Sequence, residues 1–423
     1  MAAIVPVARP RLPAATLAVV AAGVSAALHL GKLPPAVPAL QAALGIDLVE
    51  AGFLLSLVQM AGMTLGLAAG LAAGTLGLRR SMLWGLAILT LASLAGGAIG
   101  AAAAPGAHAV PALLLLRALE GLGFLLVVMP APALIRATAP QGTEKTALGW
   151  WGAYMPLGVA SALLVGPALI AALGWGAWWW ALAGVSAAAG FWVAASVPSD
   201  KEQALTAPTA VAGRWPTRLR ATLGASGPWL LAAAFAVYSA QWMAVIGFLP
   251  AIYAEAGVPV AWSAVLTAGA AAMNIGGNLL GGRLLQRGLA PEKLLRWGYG
   301  AMALGSVVAF AQFGDGLLSA GLPPALRYAA VCAFSFGGGM VPATLFVLAV
   351  RFAPGPATVS TTVGLMQQAS ALGQFCAPPL VAWLAHRAGG WQWTWAVTLA
   401  CALTGIALAA RLRPGPSTQG IDA

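Results

Sequence analysis

Apolar residues run nearly unbroken along this chain, in stretches of twenty or so separated by short polar punctuation. A helix of about 18 or more apolar residues is long enough to cross a bilayer. Twelve such spans are predicted, at roughly 14–36, 50–73, 81–103, 111–134, 146–172, 176–196, 228–251, 261–284, 293–312, 326–350, 358–384 and 390–410. The connectors are short except for one. From Val197-Pro198-Ser199-Asp200-Lys201-Glu202 through Arg214, Arg218 and Arg220, the chain is polar, basic and punctuated by proline. Residues 197–227 therefore read as a cytoplasmic linker between an N-terminal six-helix half, 1–196, and a C-terminal six-helix half, 228–423.

Composition places the chain in a membrane. It is 61% hydrophobic and 7% charged, with a mean hydropathy of +0.88, whereas soluble domains are about a quarter charged. The net charge of +11 raises the question of nucleic acid. The basic residues fall between apolar runs and form no single patch, so the expected partner is the lipid bilayer and not nucleic acid. Arg9 and Arg11 precede an apolar run in the manner of a signal peptide, but that run is long enough to be read as the first span. With the N-terminus inside, 17 of the 21 lysines and arginines fall on the cytoplasmic side, among them Arg9, Arg11, Lys145, Arg214 and Arg413. This bias predicts both termini in the cytoplasm. Cys332, Cys376 and Cys401 all fall in spans and have the spacing of neither a disulfide framework nor a metal site. Short, undecorated loops suggest a bacterial inner membrane.

The halves repeat. An offset of 212 superposes Pro38 on Pro250, Gly45 on Gly257, Pro130 on Pro342 and Pro167 on Pro379, each at an equivalent place in the helix pattern. A parallel duplication of six helices is a transporter architecture with the substrate site between the halves.

The loop between the second and third spans reads Gly70-Leu-Ala-Ala-Gly74-Thr75-Leu-Gly77-Leu-Arg79-Arg80. It resembles the cytoplasmic motif of the major facilitator superfamily of secondary transporters in Gly70, Gly77, Arg79 and Arg80. The motif's aspartate, which helps latch the halves in that family, is Gly74 here. Arg117-Ala-Leu-Glu120-Gly121-Leu-Gly123 resembles the family's fourth-helix motif, whose arginine is tied to proton coupling or to packing against the first helix. Gly166-Pro167 resembles a kink shared by many exporters, without that motif's further glycines. Gly31-Lys32-Leu-Pro34-Pro35 with Leu44-Gly-Ile-Asp47 resembles the cyanate-permease-like branch. The resemblance covers the whole chain. It implies the major facilitator fold: an all-α membrane protein of twelve transmembrane helices in two parallel six-helix repeats, with helices 1, 4, 7 and 10 lining the cavity.

Charges at membrane depth cost roughly 3 kcal/mol or more and mark function by default. Helix 1 offers His29 and Lys32, helix 4 Arg117 and Glu120, and helix 7 Tyr238 and Gln241, each pair at i, i+3 and so on one face. Lys32 is expected about 6 Å below the outer end of helix 1 and Arg117 about 9 Å below that of helix 4. Two cations would then meet in one cavity, with Glu120 neutralising one and a bound anion the other. The competing reading has Lys32 snorkelling to the interface and Arg117–Glu120 as a structural pair. The substrate-binding candidates are thus Lys32, Arg117, Tyr238 and Gln241. The proton-coupling candidates are Glu120 and His29, and the gating candidates Gly70, Gly77, Arg79 and Arg80. Glu120 is the carboxylate expected within a span, able to carry a proton or simply to pair with Arg117. Gln59, Asn274, Asn278, Gln368 and Gln374 are expected to bond to neighbouring helices. Trp150, Trp151 and Trp178 to Trp180 are expected at the membrane interface.

The function expected is proton-coupled movement of a small organic or inorganic anion by alternating access, by a monomer with no cofactor and no metal. The alternative is a proton antiporter exporting a hydrophobic or cationic compound. An enzyme would need clustered catalytic groups, and the three histidines, His29, His108 and His386, are far apart in the predicted topology. No GxxxxGK[ST] phosphate loop is present for ATP.

Overall fold

The computed structural model describes residues 13–102, 108–140, 147, 150–201, 215–312, 322–355 and 358–412. Arg9, Arg11, Lys145, Glu202, Arg214 and Arg413 lie outside them, as does the middle of the expected linker, 202–214. The described residues are almost entirely helical, without strands. In chain order the helices are α1 (Ala14–Gly31), α2 (Leu33–Leu44), α3 (Leu48–Ser56), α4 (Met60–Leu76), α5 (Leu78–Ala101), α6 (Ala109–Val128), α7 (Ala131–Thr138) and α8 (Tyr154–Ser196). After α9 (Trp215–Gly224) come α10 (Ser226–Glu255), α11 (Val260–Gln286), α12 (Pro291–Phe310), α13 (Pro324–Phe352), α14 (Val359–Ala388) and α15 (Thr394–Arg411). Among the described residues nine helical stretches are long and apolar enough to cross a membrane. Large apolar side chains that water would reject face outward, including Trp84, Leu91, Leu115, Phe191, Trp262 and Leu304. This is a multi-pass membrane protein.

Local sequence explains where helices stop and bend. Helices α1 and α2 form one 31-residue span, Ala14–Leu44, whose ladder is interrupted at Lys32. Pro34 and Pro35 have no N–H to give to the carbonyls a turn earlier. The span ends at Gly45, left-handed at φ 67°, and α10 is followed in the same way by Gly257 at φ 71°. Such a conformation favours glycine. Asp47 and Glu50 then form a reciprocal capping box that starts α3. The 43-residue α8 breaks at Gly174, with φ 82° and ψ 163°. Pro38, Pro167, Pro250, Pro342 and Pro379 all lie inside helices.

Packing leaves three apolar clusters. One, with Met82, Leu86, Val127 and Trp151, is drawn from residues before 198. Another is mostly from residues after 230, joined by Leu30, Val58, Val159 and Leu163. The third joins both ends of the chain, with Leu33, Val37, Leu40 and Leu54 against Ala240, Ala244, Phe248 and Val381, and it lies toward Gly45. Across the two ends of the chain, α2 packs on α10, α3 and α4 on α14, and α8 on α11.

Candidate functional site

Lys32, at the ladder break of the first span, lies beside α5, α6 and the part of α8 beyond Gly174. Its chain continues as helix to Leu44, so Lys32 is about 18 Å from that end at 1.5 Å per residue, not the 6 Å expected from a span closing at 36. Nor does it snorkel, being fully buried. The ammonium donates to Ser93 Oγ at 2.9 Å and to Glu120 Oε1, and it stands 4.6 Å over the Trp179 ring. The backbone carbonyl of Lys32, at the break, accepts from Trp178 Nε1 at 3.1 Å.

Glu120 is shared. Its Oε2 accepts from Arg117 Nη1 at 2.5 Å. Its Oε1 accepts from Lys32 and from Ser93 Oγ, the latter at 3.0 Å. Arg117 has further partners: Nε donates to the Leu54 carbonyl at 3.1 Å and Nη1 to the His29 carbonyl at 2.9 Å. One guanidinium thereby ties α6 to both α1 and α3. Its Nη2 is buried and has no acceptor among the described residues. Arg117 and Glu120 are only 2% and 1% exposed.

The glycines of the fourth-helix motif make this approach possible. A methyl at Gly121 would collide with the Val58 carbonyl, and one at Gly123 would lie 2.8 Å from the Gly85 carbonyl oxygen. Bare backbone lets α6 sit tightly between α5 and the 3-10 turn Leu57–Gln59.

His29 adds a branch. Its Nδ1 faces Ser93 Oγ at 3.3 Å and Glu120 Oε1 at 3.6 Å. Its Nε2 bonds Ser186 Oγ at 2.6 Å, and Ser186 Oγ bonds Ser25 Oγ at 3.1 Å. The sequence reading missed Ser25, Ser93, Ser186 and Trp179. Serine is common in apolar helices, and with Thr90 one turn from Ser93 on α5 nothing local singles out Ser93 or Ser186. Three of the five tryptophans expected at the interface are buried instead. Trp178 and Trp179 are buried against Lys32, and Trp151 stacks on Tyr154 with centroids 4.1 Å apart. Trp150 and Trp180 do face outward.

Tyr238 and Gln241 lie elsewhere on α10. Among the described residues no hydrogen bond joins them to Lys32 or Arg117. Tyr238 Oη accepts from Asn274 Nδ2 at 3.1 Å, Asn274 also donates to the Ser335 carbonyl, and Trp242 Nε1 donates to Ser335 Oγ. Gln241 is fully buried, donates to its own helix at Val237, and leaves Oε1 without a partner.

Gly77, Arg79 and Arg80 lie where α5 begins. Asp200 accepts from the backbone N–H of Arg79 at 2.8 Å and of Arg80 at 3.1 Å, capping that helix. Gly77 has φ 88°, and a side chain there would strike the Asp200 carboxylate. The Arg79 guanidinium donates to the Ala194 carbonyl at 2.6 Å. These bonds stay within residues 77–200. Gly70 is in α4, in a stretch whose side chains are not described. What crosses between the ends of the chain is glutamine. Gln368 on α14 donates to the Met63 carbonyl at 2.8 Å and accepts from the Leu67 N–H at 3.2 Å. Its amide is thus spliced between the two groups that an α-helix would pair directly. Gln59 donates to Gln374 at 3.0 Å.

Buried charges within membrane helices are rare and costly. No curated protein matches the chain, but the profile of the Major Facilitator Superfamily matches residues 15–371. That match takes in every residue of the Lys32–Arg117–Glu120 cluster, all of α10 and the Gln368 contact of α14, and by it the chain belongs to the Major Facilitator Superfamily of secondary transporters.

Proposed function

We propose that this protein moves a small organic or inorganic anion across a bacterial inner membrane by alternating access, coupled to protons. The observation that carries this is the charge balance at Glu120. One carboxylate faces two cations, Lys32 and Arg117, in a site closed to solvent. With Lys32 as the ammonium one positive charge is in excess, and Arg117 Nη2 still has an N–H to give. Burying an unbalanced charge is costly, and a monoanion would both neutralise the cluster and accept that bond. Tyr238 and Gln241 are the residues we assign to the opposite wall.

The architecture we assign is two six-helix halves, 1–196 and 228–423, joined by 197–227. The offset of 212 that relates the prolines also relates helix starts, Ala14 to Ser226 and Leu48 to Val260. It maps the part of α8 around Pro167 onto the part of α14 around Pro379. Packing of α3–α4 on α14 and of α8 on α11 is then one contact made twice, as a twofold axis demands. Counting α12, α14 and both sides of the Gly174 break gives twelve spans. We place both termini in the cytoplasm. The seam formed by Leu33, Val37, Phe248 and Val381 then closes the outer side, just above Lys32.

Thermal unfolding of the detergent-purified protein against acetate, benzoate, phosphate, sulfate and a set of lipophilic cations tests this reading. Ligand at a hundredfold excess over Kd stabilises by about 2.7 kcal/mol. Stabilisation by an anion is expected. Stabilisation by lipophilic cations alone would replace the reading with export of a cationic compound.

A further inference from the structure

Within the proposed anion transport, on which this inference rests, we propose that the coupling proton is carried by Lys32 and leaves through a relay of Ser93, His29, Ser186 and Ser25. The geometry is a continuous buried chain. Lys32 Nζ donates to Ser93 Oγ at 2.9 Å, and Ser93 Oγ lies 3.3 Å from His29 Nδ1. His29 Nε2 lies 2.6 Å from Ser186 Oγ, and that oxygen lies 3.1 Å from Ser25 Oγ. Lys32, Ser93, His29 and Ser186 are fully buried and Ser25 nearly so.

Charge counting selects Lys32 over Glu120. Glu120 is gripped by a cation on each oxygen, so protonating it would leave two buried cations uncompensated. Removing a proton from Lys32 instead leaves the neutral pair Arg117–Glu120. An empty site is therefore balanced with Lys32 as the amine, and an anion-occupied site with Lys32 as the ammonium. Anion and proton enter together because each neutralises the other. The charged or titratable groups facing Lys32 are Glu120 and Arg117 from α6 and His29 from its own span. At this level α5 and α8 bring the hydroxyls of Ser93 and Ser186 and the rings of Trp178 and Trp179. On the α10 side the members of the apolar cluster that holds neighbouring Leu33 are Ala240, Ala244, Phe248 and Ala251.

The transfer balances at every bond. The Lys32 ammonium passes a proton to Ser93 Oγ while the Ser93 hydroxyl, turned from Glu120 Oε1 to His29 Nδ1, gives its own proton to that nitrogen. His29 releases its Nε2 proton to Ser186 Oγ, whose own proton moves to Ser25 Oγ. Ser25 passes its proton to a water molecule when the helices part on that side. Lys32 ends neutral and His29 in its other tautomer, a form reset by ring rotation or by the reverse transfer.

The test adds sodium acetate, benzoate, phosphate or sulfate, whichever stabilises the protein, to weakly buffered protein with a pH indicator. Wild type is expected to take up about one proton per anion bound, as a bound charge linked to protonation requires. Lys32→Arg, charged at all times, should bind the same anion with no proton uptake. Ser93→Ala and Ser186→Ala should keep the stoichiometry but slow uptake by about a hundredfold in stopped flow. Should Lys32→Arg fail to fold, the serine variants carry the test by rate alone. Anion binding without proton uptake in wild type, or unchanged uptake in Lys32→Arg, overturns the assignment to Lys32 and leaves the anion site standing. Wild-type uptake rates in both serine variants overturn the relay. Absence of stabilisation by any of the four anions overturns the anion reading and this inference with it.

Discussion

Glu120 on α6 accepts a hydrogen bond from Lys32 at the ladder break of the first span, 88 positions away in the chain. The same carboxylate holds Arg117 one helical turn back. Removing the shared anion strands the buried Arg117 cation, and breaking a buried pair in this way costs about 3–5 kcal/mol. Glu120→Gln is expected to lower stability by that amount, read from unfolding in detergent. Lys32→Met keeps the balanced Arg117–Glu120 pair intact, so it should cost clearly less. Equal losses for the two variants would mean that the Arg117–Glu120 pair is not balanced without Lys32.

Asp200 is expected to act on helix α5 rather than on a gate. Its carboxylate receives the Arg79 and Arg80 N–H groups, and deleting such a cap costs about 1 kcal/mol. Asp200→Ala should lose that much in thermal unfolding. Gly77→Ala should lose more, since it adds a left-handed φ to a collision with Asp200. The opposite order would overturn the cap.

Movement of the halves is testable without a substrate. A Cβ at Gly66 would lie 3.2 Å from the Gln368 Cβ, close to the Cβ separation of about 3.5–4.5 Å in disulfides. The Gly66→Cys/Gln368→Cys protein should form an internal crosslink under mild oxidant, seen as a mobility shift reversed by reductant. If the halves rock, the anion expected to bind should change the rate of crosslinking. A rate indifferent to ligand would mean that this seam does not open during binding.

Much of this was legible in the sequence, for identifiable reasons. Helices in lipid must satisfy their own backbone, so apolar runs alone marked the chain as a multi-pass membrane protein, and the break at Gly174 falls between two of the expected spans. Arg117 and Glu120 stood out because charge at membrane depth is rare. What could not be read was the third dimension. Lys32 was taken for a residue near a helix end because Pro34, Pro35 and Pro38 look like a stop. They only interrupt the ladder, and α2 runs on past them to Leu44. Trp178 and Trp179 carry the composition of an interfacial belt but turn inward. Ser93 and Ser186 have no local signature, because their role comes from residues on other helices.

The central claim is that Lys32 and Arg117 together hold an anion. Its most direct test is the dissociation constant of the stabilising anion, by titration calorimetry, for wild type, Lys32→Gln and Arg117→Gln. A charge-assisted bond contributes about 1.5–3 kcal/mol, so each variant should bind roughly 10- to 150-fold more weakly. An unchanged constant in either variant, with the protein still folded, would contradict the claim.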